Sequence, residues 1–295
     1  MDDLLVNIGC GSTWHPAWVN LDLRPVSPQV RSWDVAGGLP FGDAEVQACY
    51  ASHVLEHLSR PQAKALLNEC WRVLRPGGVL RLAVPDLEAI AREYLDALAS
   101  GVNGEPAARR KHEWMTIELL DQLVRKESGG DMAQFLSHAS LDDAGFISRR
   151  IGLEGEAYMR QGQRDADPRP LNGHHGYGMR KALRSLKSMG TRLADVRRIT
   201  NGGRDRLAIW LSALLLGERG KQAMQEGLFR QSGESHRWMY DRLSLAQVLR
   251  EAGFTTVRVC TAFESGIDAF ESFGLDVIGG KIRKPDSLFM EGKRA

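Results

Sequence analysis

The chain has 295 residues, 43% of them hydrophobic and 26% charged, a composition that fills a sizeable core and excludes a disordered polymer. Its 39 Lys and Arg against 37 Asp and Glu leave a formal net charge of +2, too little for a generic nucleic-acid coat. The charge is unevenly placed, with 23 basic and 17 acidic residues in 101–240 against 16 and 20 in the remainder. Cys10, Cys49, Cys70 and Cys260 form no CxxC pair, so reduced thiols are expected in place of a zinc knuckle or a disulfide framework. The N-terminal MDDLLVNIG is acidic and runs straight into a strand pattern, unlike a signal peptide.

In chain order, LLVNIG (4–9) is a short apolar run closed by glycine, as in a buried parallel strand. WVNLDL (18–23), VRSWDV (30–35) and VQACYAS (46–52) predict three more strands. From Pro61 through AKALLNECWRVL the spacing is helical, with proline in the first turn and RPGG as the stop. VLRLAV (79–84) is a fifth strand, and the βαβ rhythm predicts a parallel sheet. From about 86 to 240 the pattern turns helical, with one segment over 87–100 and another over 113–126. ADPRPLNGHHGYGM (166–179) reads as loop. The apolar run 207–216 is shorter than the roughly 20 residues a bilayer needs and is expected as a buried helix. SLAQVLREAGF (244–254) predicts a helix closed by Gly253, followed by strands over 256–263 and 286–291. Strand signals thus stop and return, the pattern of a helical insertion between the fifth and sixth strands of one sheet.

Asn7-Ile8-Gly9-Cys10-Gly11 closes the first strand, and its two glycines let a ligand approach the backbone where a Cβ would collide. The third glycine of a dinucleotide fingerprint is absent, because Trp14 stands there, which counts against NAD. Asp22 closes the second strand, where a carboxylate can accept from two ribose hydroxyls. Asp34 closes the third, where it can accept from an adenine amino group. Such strand ends converge on one crevice.

VNIGCGS, VNLDL, LPFGDAEVQACYASHVLEHL and ECWRVLRPGGVLRLAVPD together resemble the class I S-adenosylmethionine-dependent methyltransferases, in the subgroup patterned LPF-x-D … vLEHL … RVLRPGG. The likeness covers roughly 4–86, and 244–291 fits the family's ending. It implies an α/β fold: a Rossmann-like seven-stranded sheet, the last strand antiparallel, with a mainly helical insertion between strands five and six. It also implies S-adenosyl-L-methionine as cofactor and S-adenosyl-L-homocysteine as product. The cofactor positions it implies are Asn7, Gly9, Cys10, Gly11, Asp22, Leu23, Asp34 and Val35, with Gly9 and Gly11 at the methionine part, Asp22 at the ribose and Asp34 at the adenine. Ser52 and His53 would line the methyl-transfer side. The sequence departs from the family at Asn7, where Asp or Glu is usual, and at Val46–Gln47, which replace a common Phe-Asp pair. The short span from Gly11 to Asp22 leaves only the turn STWHPAW for the usual first helix. GCGS-x-x-HPxW-xNxD, HRWMYD (236–241) and RKPDSLFME (283–291) are similar to methyltransferases associated with surface-polysaccharide synthesis.

A sulfonium is an activated methyl donor, so the enzyme must align the acceptor and exclude water. A sugar hydroxyl also needs a base. His53 is the best-placed candidate, His174 and His175 can close over a pocket as a lid, and His236 can face the acceptor cleft. His15 borders the glycine loop, with Trp14 and Trp18 as packing, and His57 is expected to be structural. His53-Val-Leu-Glu56-His57 also spells the inverted zinc-protease signature HxxEH. It begins at a strand end rather than on a helix, so no metal is expected. Nine basic residues from Arg180 to Arg206, Arg197 and Arg198 among them, face only Asp195 and Asp205. They form a solvated helix face or a surface for anionic phosphate or membrane; nucleic acid is not expected. The expected layout is a cofactor-binding core of 1–100 and 241–295, with the insert 101–240 as acceptor pocket, lid or dimer contact. The expected activity is O-methylation of a saccharide or glycolipid-precursor hydroxyl in the cytoplasm or at the inner membrane's edge. A small-molecule methyltransferase and a non-catalytic scaffold are the alternatives.

Overall fold

The computed structural model describes residues 3–166 and 193–295. The strands are β1 (Leu5–Ile8), β2 (Val19–Asp22), β3 (Val30–Ser32), β4 (Val46–Ser52), β5 (Leu74–Pro85), β6 (Phe254–Cys260), a two-stranded hairpin of β7 (Val277–Ile278) and β8 (Lys281–Ile282), and β9 (Ser287–Arg294). Seven of them form one sheet in the order β3-β2-β1-β4-β5-β9-β6. The pairs from β3 through β5 are parallel, and β9 is antiparallel to both neighbours. This is the Rossmann-like architecture, with the last strand antiparallel, that the motifs imply. The third strand is shorter than expected: it stops at Ser32, and Asp34 caps a 3-10 turn (Val35–Gly37) through the Ala36 N–H instead of ending a strand.

The helices are α1 (Arg60–Val73), α2 (Leu87–Val102), α3 (Pro106–Val124), α4 (Gly130–Ser137), α5 (Leu141–Ala166), α6 (Leu193–Gln231) and α7 (Arg242–Glu251). Two capping boxes fix their starts where the sequence changes period, Ser59 with Gln62 on α1 and Asp241 with Ser244 on α7. One face of the sheet buries Ile8, Leu21, Leu74 and Leu80 against Leu66, Leu67 and Cys70 of α1 and Leu245 and Leu249 of α7. The inserted helices α2 to α5 have a separate core around Ile90, Trp114, Met115, Phe135 and Ile147.

The apolar run of α6 departs from expectation. Leu207, Trp210, Leu211, Leu214, Leu215 and Leu216 are exposed, not buried. Consecutive apolar positions cover all sides of a helix, and only one side can meet a neighbour. No helix among the described residues is long and apolar enough to cross a membrane.

The LPFGD and RVLRPGG motifs are two halves of one clamp. Arg72 donates to Glu69 (2.8 Å on both nitrogens), to Asp43 (2.7 Å) and to the carbonyls of Leu39 and Phe41, while Glu69 accepts from the Leu39 N–H at 2.9 Å. The Arg72 hydrogen bonds hold the Glu69 carboxyl down at about 2, from 4.5. Glu69→Gln should therefore cost about 1 kcal/mol at neutral pH, a charge-assisted contact discounted for solvent screening. A carboxyl depressed by folding stabilises above its unfolded value and loses that contribution as pH falls through its folded value. Urea unfolding should show the difference in full above pH 4.5 and shrinking toward pH 2; a difference independent of pH would contradict the clamp.

Candidate active site

The loop after β1 is built from glycine for a steric reason. Gly9 and Gly11 have φ of +62° and +54°, and a Cβ on Gly9 would stand 2.4 Å from Val54 Cγ2. A Cβ on Gly11 would meet no atom within 4 Å, so the loop faces open space there. The Gly11 N–H donates to Asp22 Oδ2 at 2.8 Å and the Arg24 N–H to Asp22 Oδ1 at 2.7 Å. Each carboxylate oxygen keeps a further lone pair.

Asn7 explains its own departure from the family pattern. Its amide nitrogen donates to Asn20 Oδ1 and to the Thr13 carbonyl, both at 3.0 Å, and Asn20 in turn donates to the carbonyls of His15 and Trp18. The turn that replaces the usual first helix is tied down by these two amides, and a carboxylate at position 7 has no proton to give. His15 packs on Phe273 with ring centroids 5.1 Å apart.

At the end of β4 the chain turns sharply. His53 has φ +54°, its N–H donates to the Ala83 carbonyl, and a 3-10 turn (Leu55–His57) follows. His53 and His57 therefore share no helical face, and the inverted zinc-protease geometry is absent. His53 Nε2 lies 2.8 Å from Ser287 Oγ, and Nδ1 lies 3.2 Å from Glu56 Oε1. Glu56 has no exposed surface. Burial opposes its charge, but the rings of His53, His236 and His57 outweigh that and hold the carboxyl down at about 2. Burial pushes His236 down to about 3 and lowers His57 as well, so at neutral pH both rings are neutral beside a charged carboxylate. Burial, with Asp22 as a lesser cause, raises the Cys10 thiol to about 12, so it is no nucleophile.

Asn7, Gly9, Cys10, Gly11, Ser52, His53 and His236 line one cavity of about 360 Å³. Asp22, Leu23, Asp34 and Val35 do not line it; Leu23 and Asp34 face solvent along the β2 and β3 edge. His174 and His175 lie outside the described residues. Of the basic block, Arg180 to Arg192 also lie outside them, and Arg204 and Arg206 are exposed on α6. Sequence reasoning set His57 aside as structural, yet it lines the cavity, and it missed Arg125, Arg283, Lys284 and Asp286. Arg125 follows α3 as its C-terminal cap, and the last three lie in RKPDSLFME, a motif that carries a family likeness but no site role in the sequence.

Residues 17–82 match the family model of the methyltransferase domain. That stretch is similar to a methyltransferase domain, a class whose cofactor is S-adenosylmethionine. The loop fits that cofactor, since the glycines leave open space at Gly11 beside the Asp22 carboxylate. No curated protein matches the chain. Among solved structures, a Haloferax volcanii complex between the Trm112 methyltransferase activator and a methyltransferase matches at 19% identity and TM-score 0.25, covering 32% of this chain and 51% of that one. This chain thus spans about half the length of that first match. An S-adenosylmethionine-dependent methyltransferase from Thermotoga maritima matches at 11% identity and TM-score 0.35, covering 100% and 83%. A geranyl diphosphate C-methyltransferase from Streptomyces coelicolor A3(2) matches at 14% identity and TM-score 0.25, covering 55% and 68%. At these TM-scores the likenesses carry no weight for substrate or partner.

Asn7→Asp should lower stability by about 1–3 kcal/mol, the cost of leaving buried acceptors without a donor. A melting temperature equal to that of the native chain would show that the amide pair does not hold the loop.

Proposed function

We propose that the chain transfers the methyl group of S-adenosylmethionine to a hydroxyl of a saccharide or glycolipid precursor. The carrying observation is the cavity itself, whose one wall is the Gly9–Gly11 loop and whose other wall is His53, His57 and His236. The cofactor supplies an electrophilic methyl when bound; the protein aligns the acceptor oxygen with it and excludes water. Gly9, Cys10 and Gly11 hold the methionine part, Asp22 accepts from the ribose hydroxyls, and Asp34 meets the adenine edge. Ser52 and His53 face the transfer, and His53, held between Ser287 and Glu56, assists removal of the hydroxyl proton.

The insert 101–240 builds the acceptor side. Gln122, Arg125, Met132, Leu136 and Ile151 come from it and line the same cavity. Exposed Arg204 and Arg206 beside the exposed apolar run of α6 suit contact with an anionic acceptor or membrane surface. A small-molecule acceptor is the second reading, favoured by a cavity of about 360 Å³, at the small end of ligand sites.

Calorimetric titration with S-adenosylmethionine should show binding that Asp22→Ala weakens about tenfold or more, the loss of two hydrogen bonds to a carboxylate. Absence of binding to the native chain would sink the enzyme reading. Incubation with labelled cofactor and extracts of the source organism, followed by mass spectrometry, should yield a methylated saccharide; a labelled product of another class would correct the acceptor.

A further inference from the structure

Glu56 is a buried carboxylate with an unfinished set of partners. Its Oε1 faces His53 Nδ1 at 3.2 Å, and its Oε2 has no hydrogen-bond partner among the described residues. Taking a carboxylate out of water is expensive unless charges or hydrogen bonds replace the lost solvation. The same spot holds a second orphan, His236 Nδ1, which is buried without a partner. Orphaned buried polar atoms that converge ask for an ion or a water.

The surrounding backbone holds these groups in place. The Glu56 carbonyl accepts from the N–H of Arg237 at 2.6 Å and of Trp238 at 3.2 Å, and the His236 N–H donates to the Gln122 carbonyl at 2.8 Å. The segment before α7 is thus pinned on the turn after β4. The rings of His57 and His236 meet edge to face at 4.8 Å between centroids. Glu56, His57 and His236 each offer one ligand atom, all within 4.8 Å of one another. His57 Nδ1 faces the Ser235 carbonyl at 3.4 Å, the kind of outer contact that orients a ligating imidazole and leaves Nε2 to bind.

We propose that Glu56, His57 and His236 bind a divalent transition-metal cation at the wall of the cavity. Two imidazole nitrogens and one carboxylate oxygen form a donor set suited to Zn²⁺, Fe²⁺, Co²⁺ or Mn²⁺. His57 and His236 line the cavity, so coordination positions left open face the acceptor. This differs from the zinc-protease reading of HxxEH: Glu56 is a ligand rather than a base, and the second histidine comes from HRWMYD instead of position 53. The role rests on the methyltransferase reading. An acceptor hydroxyl bound to the cation loses its proton to His53 more readily. The oxygen then forms a bond to the methyl carbon as the sulfur–methyl bond breaks, giving the methyl ether, S-adenosylhomocysteine and a proton.

The test is metal binding by the full chain, read without turnover. Protein stripped with chelator and titrated with Co²⁺ should take up one equivalent with visible d–d absorption, and Zn²⁺ should displace it. His236→Gln and Glu56→Gln should each weaken binding about tenfold or more. A variant that fails to keep the native melting profile is replaced by His57→Gln. Absence of stoichiometric uptake of Co²⁺, Zn²⁺ or Mn²⁺, or uptake unchanged in two folded variants, overturns the site. Titration with S-adenosylmethionine on the same samples separates the failures. Cofactor binding without metal uptake rejects this site alone, and metal uptake without cofactor binding rejects the methyltransferase reading alone.

Discussion

A guanidinium stays charged at any pH a protein meets, so Arg81, with no exposed surface in the middle of β5, must be met by acceptors on every side. It donates to Asp276 at 2.8 Å, to Glu291 at 2.9 Å and to the carbonyls of Thr261 and Glu264 at 3.0 and 2.8 Å. Phe270 and Phe289 flank it. Those partners come from β9 and from the long segment after β6. One side chain therefore joins the parallel half of the sheet to the antiparallel half.

The same network delivers the far wall of the cavity. Asp276 also accepts from the Tyr50 hydroxyl at 2.5 Å, and the Leu275 carbonyl accepts from Arg283 at 2.7 Å. The Asp86 N–H donates to the Asp286 carbonyl. With Asp276 held by Arg81, the residues from Arg283 to Ser287 run past the end of β4, where Ser287 meets His53. Gln122, Arg125, Met132 and Leu136 line the cavity as well, from helices that share a core around Trp114. The cavity is a seam between three stretches of chain, and each is rigid for a separate reason.

Much of this was legible beforehand because the fold's signals are local. Strand and helix periods, Gly9 and Gly11, and the paired LPFGD and RVLRPGG motifs all act over a few residues or across one βα unit. Asn7 was visible as a departure, but its partner Asn20 was not, since an amide pair across adjacent strands leaves no spacing signature. The run 207–216 reads as a buried helix yet is exposed for a related reason: hydrophobicity says that a face seeks cover, and nothing in the run says whether a neighbour supplies it. In the sequence Glu56 is only one letter of a motif, whereas the fold buries it among three histidines.

The sequence by itself determined the sheet class and the glycine loop, because each depends on backbone sterics and periodicity within short windows. The histidine wall was decided only by tertiary structure. His236 reaches Glu56 and His57 because backbone hydrogen bonds pin the segment before α7 onto the turn after β4. The near-neutral +2 of the chain likewise concealed how its charges are used. Arg81 is paired inside the sheet with Asp276 and Glu291, while Arg125, paired with Asp121, lines the cavity. Which charges meet inside the sheet depends on distances between residues far apart in sequence, and those exist only in the folded chain.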